Sequence, residues 1–340
     1  MNNNKAIFLL IRKLSIFSLP FFVLIFIYII LDPFKVIREY KTYYPSYVGL
    51  NRDYVSTTTF RKNYRNNNYN SFIFGNSRSI FYKTYDWKKY IGEDANCYHF
   101  DASGESLYGV YKKVLYLHSL NVRIKNALII LDRSTLSQTQ PSSGHLFITS
   151  PQLEGNKTFF QFQTTFIKAF FSPRFIVAYF DFILTKKIKN YMLKQNLLDN
   201  RPMNYNVVSN EISFDFFEEQ IKIDKAKYYN SNKMKQFNAI DSSESISRIV
   251  IKTKQKELLN KIKEVLVQDD TNYKVVISPL FDKKKLNQTD LLYLRDLLGE
   301  KNVYDFSGKN TITDSYLNYY ETSHYRPHVA RKIMNHIYKK

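Results

Sequence analysis

Three side chains far apart in the chain are of the types that nucleophilic catalysis uses. Ser77 sits in "SFIFGNSRSIF" (71–81), where a compact apolar run breaks into Gly75, Asn76, Ser77 and Arg78. A glycine there permits a tight turn at a strand end, and a hydroxyl just beyond it either caps a following helix or attacks a carbonyl. That stretch alone leaves the two readings level. Near the other end, "YYETSHYRPH" (319–328) sets Glu321 three residues before His324 and ahead of Pro327. This spacing lets a carboxylate engage one imidazole nitrogen while the other nitrogen faces a serine. A serine nucleophile needs such a base, and the base needs an orienting acid, so the pair turns the reading of Ser77 toward a nucleophile. Asp314 is a second candidate for the acid. His145, in "SSGHLFITSP" (142–151), and His328 are rival bases. His145 has no carboxylate at comparable spacing and suits a lid residue, and His328 is expected to face solvent from the terminal helix.

The elements that must position these groups follow from periodicity. Apolar runs of strand length occur at 71–75, 96–100, 126–132, 273–279 and 302–307, with helical patterns at 105–120, 247–268 and 287–300. Continuous rather than alternating apolar strands, separated by helices, predict a parallel sheet buried on both faces. The expected class is α/β, a three-layer α/β/α doubly wound parallel sheet. In such sheets ligands bind beyond the carboxyl ends of the strands. Ser77 falls just past the first of those ends, and a helix N-terminus is expected to follow it and offer amide donors. Asp132 and Arg133 stand at the end of the third strand, in "ILDRST" (130–135). Arg78 is set to meet an anionic substrate or to pair with Asp132 across strand ends, the salt bridge being the plainer reading.

Residues 137–245 separate the third and fourth strands by far more than a crossover requires. They hold "TFFQFQTTFIKAFFSPRFIVAYFDFIL" (158–184), helical in spacing and interrupted near Pro173. This predicts a helical insert or cap with its aromatics packed inward; the sharper alternative is a lid with an aromatic surface for sugar rings or the membrane. Residues 32–70 are expected to be a membrane-proximal lead-in to a domain over 71–340.

The motifs resemble a known family. "FGNSRS" (74–79) and "ETSHY" (321–325) look like the first and last motif blocks of the SGNH (GDSL-type) hydrolase superfamily. They are most similar to those of its bacterial, membrane-anchored members, including the DltD-like and alginate-O-acetylation-like proteins. The resemblance implies an SGNH-like sheet of flavodoxin-like order, with Ser77 as nucleophile, His324 as base and Glu321 as acid. Gly104, in "DASGES" (101–106), matches the second block, whose glycine amide joins the serine amide in the oxyanion hole. Three positions depart from the pattern. Asn76 stands where aspartate is usual, and still shapes the turn by hydrogen bonding. Asp132 and Arg133 replace the third block's asparagine. An ionised aspartate cannot donate to an oxyanion, so either one donor is missing or Arg133 replaces it, and loss of one donor costs roughly 10²–10³ in rate. Glu321 is one methylene longer than the usual aspartate. The implied activity is a cofactor-independent serine esterase or O-acyltransferase acting on acyl groups, acetyl above all, of a cell-surface polysaccharide. The altered third block and Glu321 motivate the alternative, a catalytically inactive SGNH-like protein that binds glycan or partners an integral-membrane acyltransferase.

Composition describes the surroundings. The 340-residue chain is 44% hydrophobic and 16% aromatic, which excludes general disorder. Its +20 charge, from 50 Lys and Arg against 30 Asp and Glu, attracts anionic partners. No nucleic-acid-binding motif accompanies the charge, and "KTKQKELLNKIKEV" (252–265) reads as a solvated helix face. An anionic glycan or lipid head group is expected, and no nucleic acid. Cys97 is the sole cysteine, so no disulfide within the chain and no metal are expected, and it reads as a small buried hydrophobe. Residues 14–31, "LSIFSLPFFVLIFIYIIL", carry no charge and as a helix measure about 27 Å, near the thickness of a bilayer's hydrocarbon core. Lys5, Arg12 and Lys13 precede them, which leaves residues 1–13 in the cytoplasm. "LDPFKV" (31–36) lacks a small-residue cleavage site, so an uncleaved, single-pass signal-anchor is expected. The main domain then lies outside the cytoplasm, in the periplasm or at the cell surface.

Overall fold

Five short strands hydrogen-bond in parallel into one sheet: Ser71–Gly75, Cys97–Asp101, Asn126–Leu131, Asn272–Ile277 and Val303–Asp305. Their spatial order is second, first, third, fourth, fifth, the order of one common doubly wound sheet. The computed structural model describes residues 3–193, 198–199, 203–230 and 245–339. Each strand falls within a few residues of its apolar run. The fifth ends early because Asp305 Oδ1 accepts from the Ser307 amide (2.8 Å) and hydroxyl (2.6 Å), turning the chain away.

The two faces of the sheet fill separate cores. Phe72, Phe74, Ile129 and Val275 pack with the helices Arg52–Asn67, Leu107–Ser119, Thr253–Gln268 and Gln288–Leu298. Ile73, Leu128, Ile130 and Val276 pack with Trp87 of helix Thr84–Ile91 and with Val329 and Ile333 of helix Pro327–Tyr338. Burial of both faces is why the strands are apolar without alternation.

Two local expectations are corrected. Residues 52–67 are not a lead-in but a core helix, capped by Asn51, whose side chain accepts from the Tyr54 amide at 2.8 Å. The half of it from Arg52 to Phe60 is buried. Its polarity hid this, because polar groups are satisfied inside the protein; Ser56 Oγ, for example, donates to the Asp101 carbonyl at 2.8 Å. Ser77 is also not followed directly by an α-helix. A three-residue 3₁₀ turn, Ser79–Phe81, intervenes, and the helix begins at Thr84.

Gly75 has a φ of +153°, and a Cβ there would sit 2.8 Å from the Ile130 carbonyl oxygen of the neighbouring strand. Gly75→Ala is therefore expected to cost about 1–3 kcal/mol in unfolding free energy, read by urea titration, and to displace the Ser77 turn.

The chain forms two compact units. The sheet belongs to the one made of Lys41–Pro45, Asn51–Thr158 and Arg201–Lys340. The other, Met1–Tyr40, Ser46–Leu50 and Phe159–Asn200, is built on the helix Asn3–Leu31. Its Lys5–Leu31 stretch, whose most apolar 18 residues have a mean hydropathy of 2.7, is long and apolar enough to cross a membrane. The aromatic stretch forms two helices, Phe159–Phe170 and Pro173–Thr185, broken where Pro173 starts the second, with Phe162, Phe166, Phe170 and Phe175 buried. The insert is thus divided rather than a single cap. Residues 159–185 join the apolar helix, while the antiparallel pair Asn204–Tyr205 and Ile212–Ser213 and the helices Asp215–Ile223 and Lys225–Tyr229 join the sheet. Residues 231–244 of the insert lie outside the described residues.

Candidate active site

Parallel register aligns the strand ends that carry the candidate groups. Gly75 lies opposite Asp101 on one neighbour and Ile130 on the other, so Ser77, Gly104 and Asp132 all follow the carboxyl ends of three adjacent strands. The terminal loop reaches the same edge. His324 Nε2 lies 2.8 Å from Ser77 Oγ, and its Nδ1 is hydrogen-bonded to Glu321 Oε1. The second oxygen of Glu321 accepts from the Ser323 amide at 2.6 Å. Burial works to raise the Glu321 carboxyl. The hydrogen bond and charge of His324, the Ser323 amide and the Arg78 guanidinium outweigh it and hold the group below the ordinary glutamate value.

The loop that carries Glu321 and His324 is closed at its base. Tyr319 and Tyr325 form an antiparallel bridge, and the Tyr320 amide donates to the His324 carbonyl at 2.9 Å. Phe81, just past the Ser77 turn, packs against the Tyr325 ring at 5.5 Å and the His324 ring at 6.0 Å. A brace that sequence reasoning missed comes from the insert. Glu218 accepts from Arg326 Nε (2.9 Å), Arg326 Nη2 (2.6 Å) and the Tyr320 hydroxyl (2.6 Å). Nothing in the local sequence around Glu218 signals this, because its partners are about a hundred residues away.

At the third strand end, Asp132 is wholly engaged. Its Oδ1 caps the helix Arg133–Ser137 through the Ser134 (2.8 Å) and Thr135 (2.9 Å) amides. Its Oδ2 accepts from Asn76 Nδ2 and Arg78 Nη1, both at 2.7 Å. Asn76 Oδ1 in turn accepts from the Arg78 amide at 3.0 Å, so Asn76 shapes the turn. The Arg133 guanidinium is already committed. It takes a fork of hydrogen bonds to Asp282, whose carboxylate matches it better than a transient oxyanion does. Among the described residues, neither the Ser77 nor the Gly104 amide N–H has an acceptor within the protein. Gly104 holds a φ of +59°.

The remaining candidates lie elsewhere. Asp314 pairs with Lys283 at 3.7 Å and not with His324. His328 does not face solvent: it is half-buried, with Nε2 2.8 Å from Asn318 Oδ1. The His145 carbonyl accepts from Asn51 Nδ2 at 3.0 Å. Among the described residues, no group of three His, Cys, Asp or Glu side chains is arranged to hold a metal ion.

Behind the Ser77 turn runs a fully buried polar chain that sequence reasoning also missed. Arg52 donates to both oxygens of Asp101, at 2.8 and 2.7 Å, and to the Asn210 carbonyl. Ser79 Oγ donates to the Asn76 carbonyl at 2.7 Å, so it accepts the Nε2 proton of His99 at 3.0 Å. That leaves His99 Nδ1 unprotonated, 3.9 Å from Asp101 Oδ1 and with no hydrogen-bond partner. Burial pushes the His99 imidazole down to about 4, against the opposing charge of Asp101. The unfolded chain takes up a proton near pH 6.5 and the native protein only near 4, so stability falls as pH drops through that window. The expected loss is roughly 3 kcal/mol, read by urea unfolding between pH 7.5 and pH 4. His99→Gln should flatten that slope, and an unchanged slope would assign the acid sensitivity to other groups.

A groove of about 590 Å³ borders Gly104. It is lined by Ser137, Gln138, Thr139, Pro141 and Phe147 among others, none of them charged. No family model, no curated protein and no solved structure matches this chain.

Proposed function

We propose that this protein is a membrane-anchored serine esterase or O-acyltransferase of the SGNH type, acting outside the cytoplasm on acyl groups of a cell-surface polysaccharide. One observation carries the reading: the continuous hydrogen-bonded line from Ser77 Oγ through the His324 imidazole to Glu321. In the proposed reaction His324 Nε2 takes the Ser77 proton as Oγ attacks the acyl carbonyl, and ionised Glu321 stabilises the imidazolium. The free amides of Ser77 and Gly104 are the donors available to the oxyanion. His324 then returns the proton to the departing sugar oxygen, leaving an acyl-serine. Water completes hydrolysis, or a second sugar hydroxyl completes transfer, by the same base in reverse.

The resemblance of the motif blocks to polysaccharide-modifying proteins supplies the acetyl and glycan parts of the proposal. The uncharged, amide- and hydroxyl-lined groove beside Gly104 suits sugar hydroxyls, and the +20 charge suits an anionic polymer. The apolar Lys5–Leu31 helix, with Lys5, Arg12 and Lys13 ahead of its uncharged run 14–31, supports an anchor with a cytoplasmic N-terminus. A second reading, a glycan-binding or assembly protein that partners a membrane acyltransferase, is favoured by the third strand end. There an acceptor-only carboxylate stands, and Arg133 is already paired with Asp282. A fluorophosphonate probe separates the two on the full-length protein in detergent. Covalent labelling at Ser77, absent from Ser77→Ala, supports the enzyme; a folded wild-type protein that never labels supports the binding protein.

A further inference from the structure

We infer that the helical hairpin 159–185 is itself a membrane element, with its tip inside the lipid bilayer beside the N-terminal helix. The inference rests on the proposed anchoring by that helix and is independent of any chemistry at Ser77.

The contacts of the hairpin run in order from the segment just after the apolar helix, at Val36 and Phe34, onto the helix itself at Tyr28 and Phe21. Near its base, Gln163 Nε2 donates to the Val36 carbonyl at 3.1 Å. Midway, Phe166 and Phe175 pack on Phe34, with ring centroids 5.4 and 5.0 Å apart. Nearer the tip, Phe170 meets Tyr28 at 5.1 Å. At the tip, Phe171 stacks on Phe21 at 5.0 Å and an interplanar angle of 28°. Phe21 lies ten residues before the helix end at Leu31, about 15 Å along the axis and about half the hydrocarbon thickness. If Lys5–Leu31 crosses a bilayer, a residue stacked on Phe21 cannot be in water.

The tip bonds part of its backbone internally, as lipid favours, although no side chain caps the second helix. The Phe171 amide donates to Ile167 (2.9 Å), the Ser172 amide to Ala169 (3.2 Å) and the Ile176 amide to Ser172 (3.0 Å). Pro173, at the start of the second helix, has no N–H to satisfy. The Thr164 and Thr165 hydroxyls donate to the Gln161 carbonyl at 3.0 and 2.8 Å. Much of the outward surface is apolar, with Phe160 80%, Val177 60% and Leu184 82% exposed, beside the exposed Gln161 and Thr185. Lys168 and Arg174 flank the tip and are exposed. At this depth their charges are accommodated by snorkelling together with local thinning of the bilayer, and they favour anionic lipid.

The test places single nitroxide labels on the full-length protein in a Cys97→Ser background, which removes the one native cysteine. The labelled positions are Phe17→Cys in the apolar helix, Ser172→Cys at the tip and Lys256→Cys on the lysine-rich helix of the sheet unit. The protein is reconstituted in phosphatidylcholine–phosphatidylglycerol vesicles, and collision with oxygen is compared with collision with a water-soluble nickel chelate. Oxygen is expected to dominate at Phe17→Cys and Ser172→Cys, and nickel at Lys256→Cys. A tip label as nickel-accessible as Lys256→Cys, with Phe17→Cys still in lipid, overturns the hairpin and leaves the anchor standing. A nickel-accessible Phe17→Cys removes the anchor and the hairpin together. A tip label shielded from both reagents also overturns the proposal, in favour of a protein partner on the same surface.

Discussion

Ser77→Ala is expected to lower turnover by a factor on the order of 10⁶, the size of effect seen when a serine nucleophile that acts as a unit with its base is removed. Among the described residues, the His324 Nε2 bond goes to Ser77, and the nearby Ser79 hydroxyl is buried and committed to the Asn76 carbonyl. The Ser77 side chain makes that single hydrogen bond and is only part-buried, so its loss should leave the melting temperature nearly unchanged. Glu321→Gln should cost less, about 10⁴, because it leaves the nucleophile but puts the imidazole in the wrong tautomer. Hydrolysis of an activated acetyl ester, measured alongside thermal unfolding, separates these outcomes. A Ser77→Ala protein that folds and still turns over at the wild-type rate rules out the acyl-serine.

Arg52→Met should be the most destabilising single change behind the site. It strands Asp101, which is fully buried, and removes the donor to the Asn210 carbonyl. Breaking a buried ion pair from one side costs about 3–5 kcal/mol, because the remaining charge has neither water nor partner. Burial raises the Asp101 carboxyl in the native protein, but Arg52 outweighs it and keeps the acid low; without Arg52 the group must take up a proton to remain inside. For a domain of this size the melting temperature should fall by roughly 10 °C. Replacing both partners, Arg52→Met with Asp101→Leu, should recover much of the loss, since a packed apolar pair can equal a buried ion pair. If the double variant is as unstable as the single, the cost lies in packing around Arg52 and not in the stranded charge. Asp101 lies 3.9 Å from His99, which is bonded through Ser79 to the Asn76 carbonyl, so hydrolysis of an activated ester by the single variant, if the proposed function holds, should fall further than its folded fraction.

Local pattern determined much of the architecture. The five apolar runs, without alternation, were enough for a parallel sheet buried on both faces, because a strand covered twice has no polar side to display. The uncharged run at 14–31 sufficed for a helix of membrane length, since length and hydropathy are properties of the segment alone. Glu321 and His324 were legible as a pair because a hydrogen bond over three residues is set by local geometry. What needed the tertiary structure was every relation between distant segments. The 2.8 Å approach of His324 to Ser77 spans 247 residues and depends on the parallel register and on a loop closed by Tyr319 and Tyr325. Residues 52–67 looked like a polar lead-in because their polar groups find partners only in the folded core. His99, Arg52 and Glu218 gave no local sign, since a buried charge is revealed by its partner and not by its neighbours in the chain. Arg133 stood beside Asp132 as a candidate donor until Asp282, 149 residues on, came within its reach.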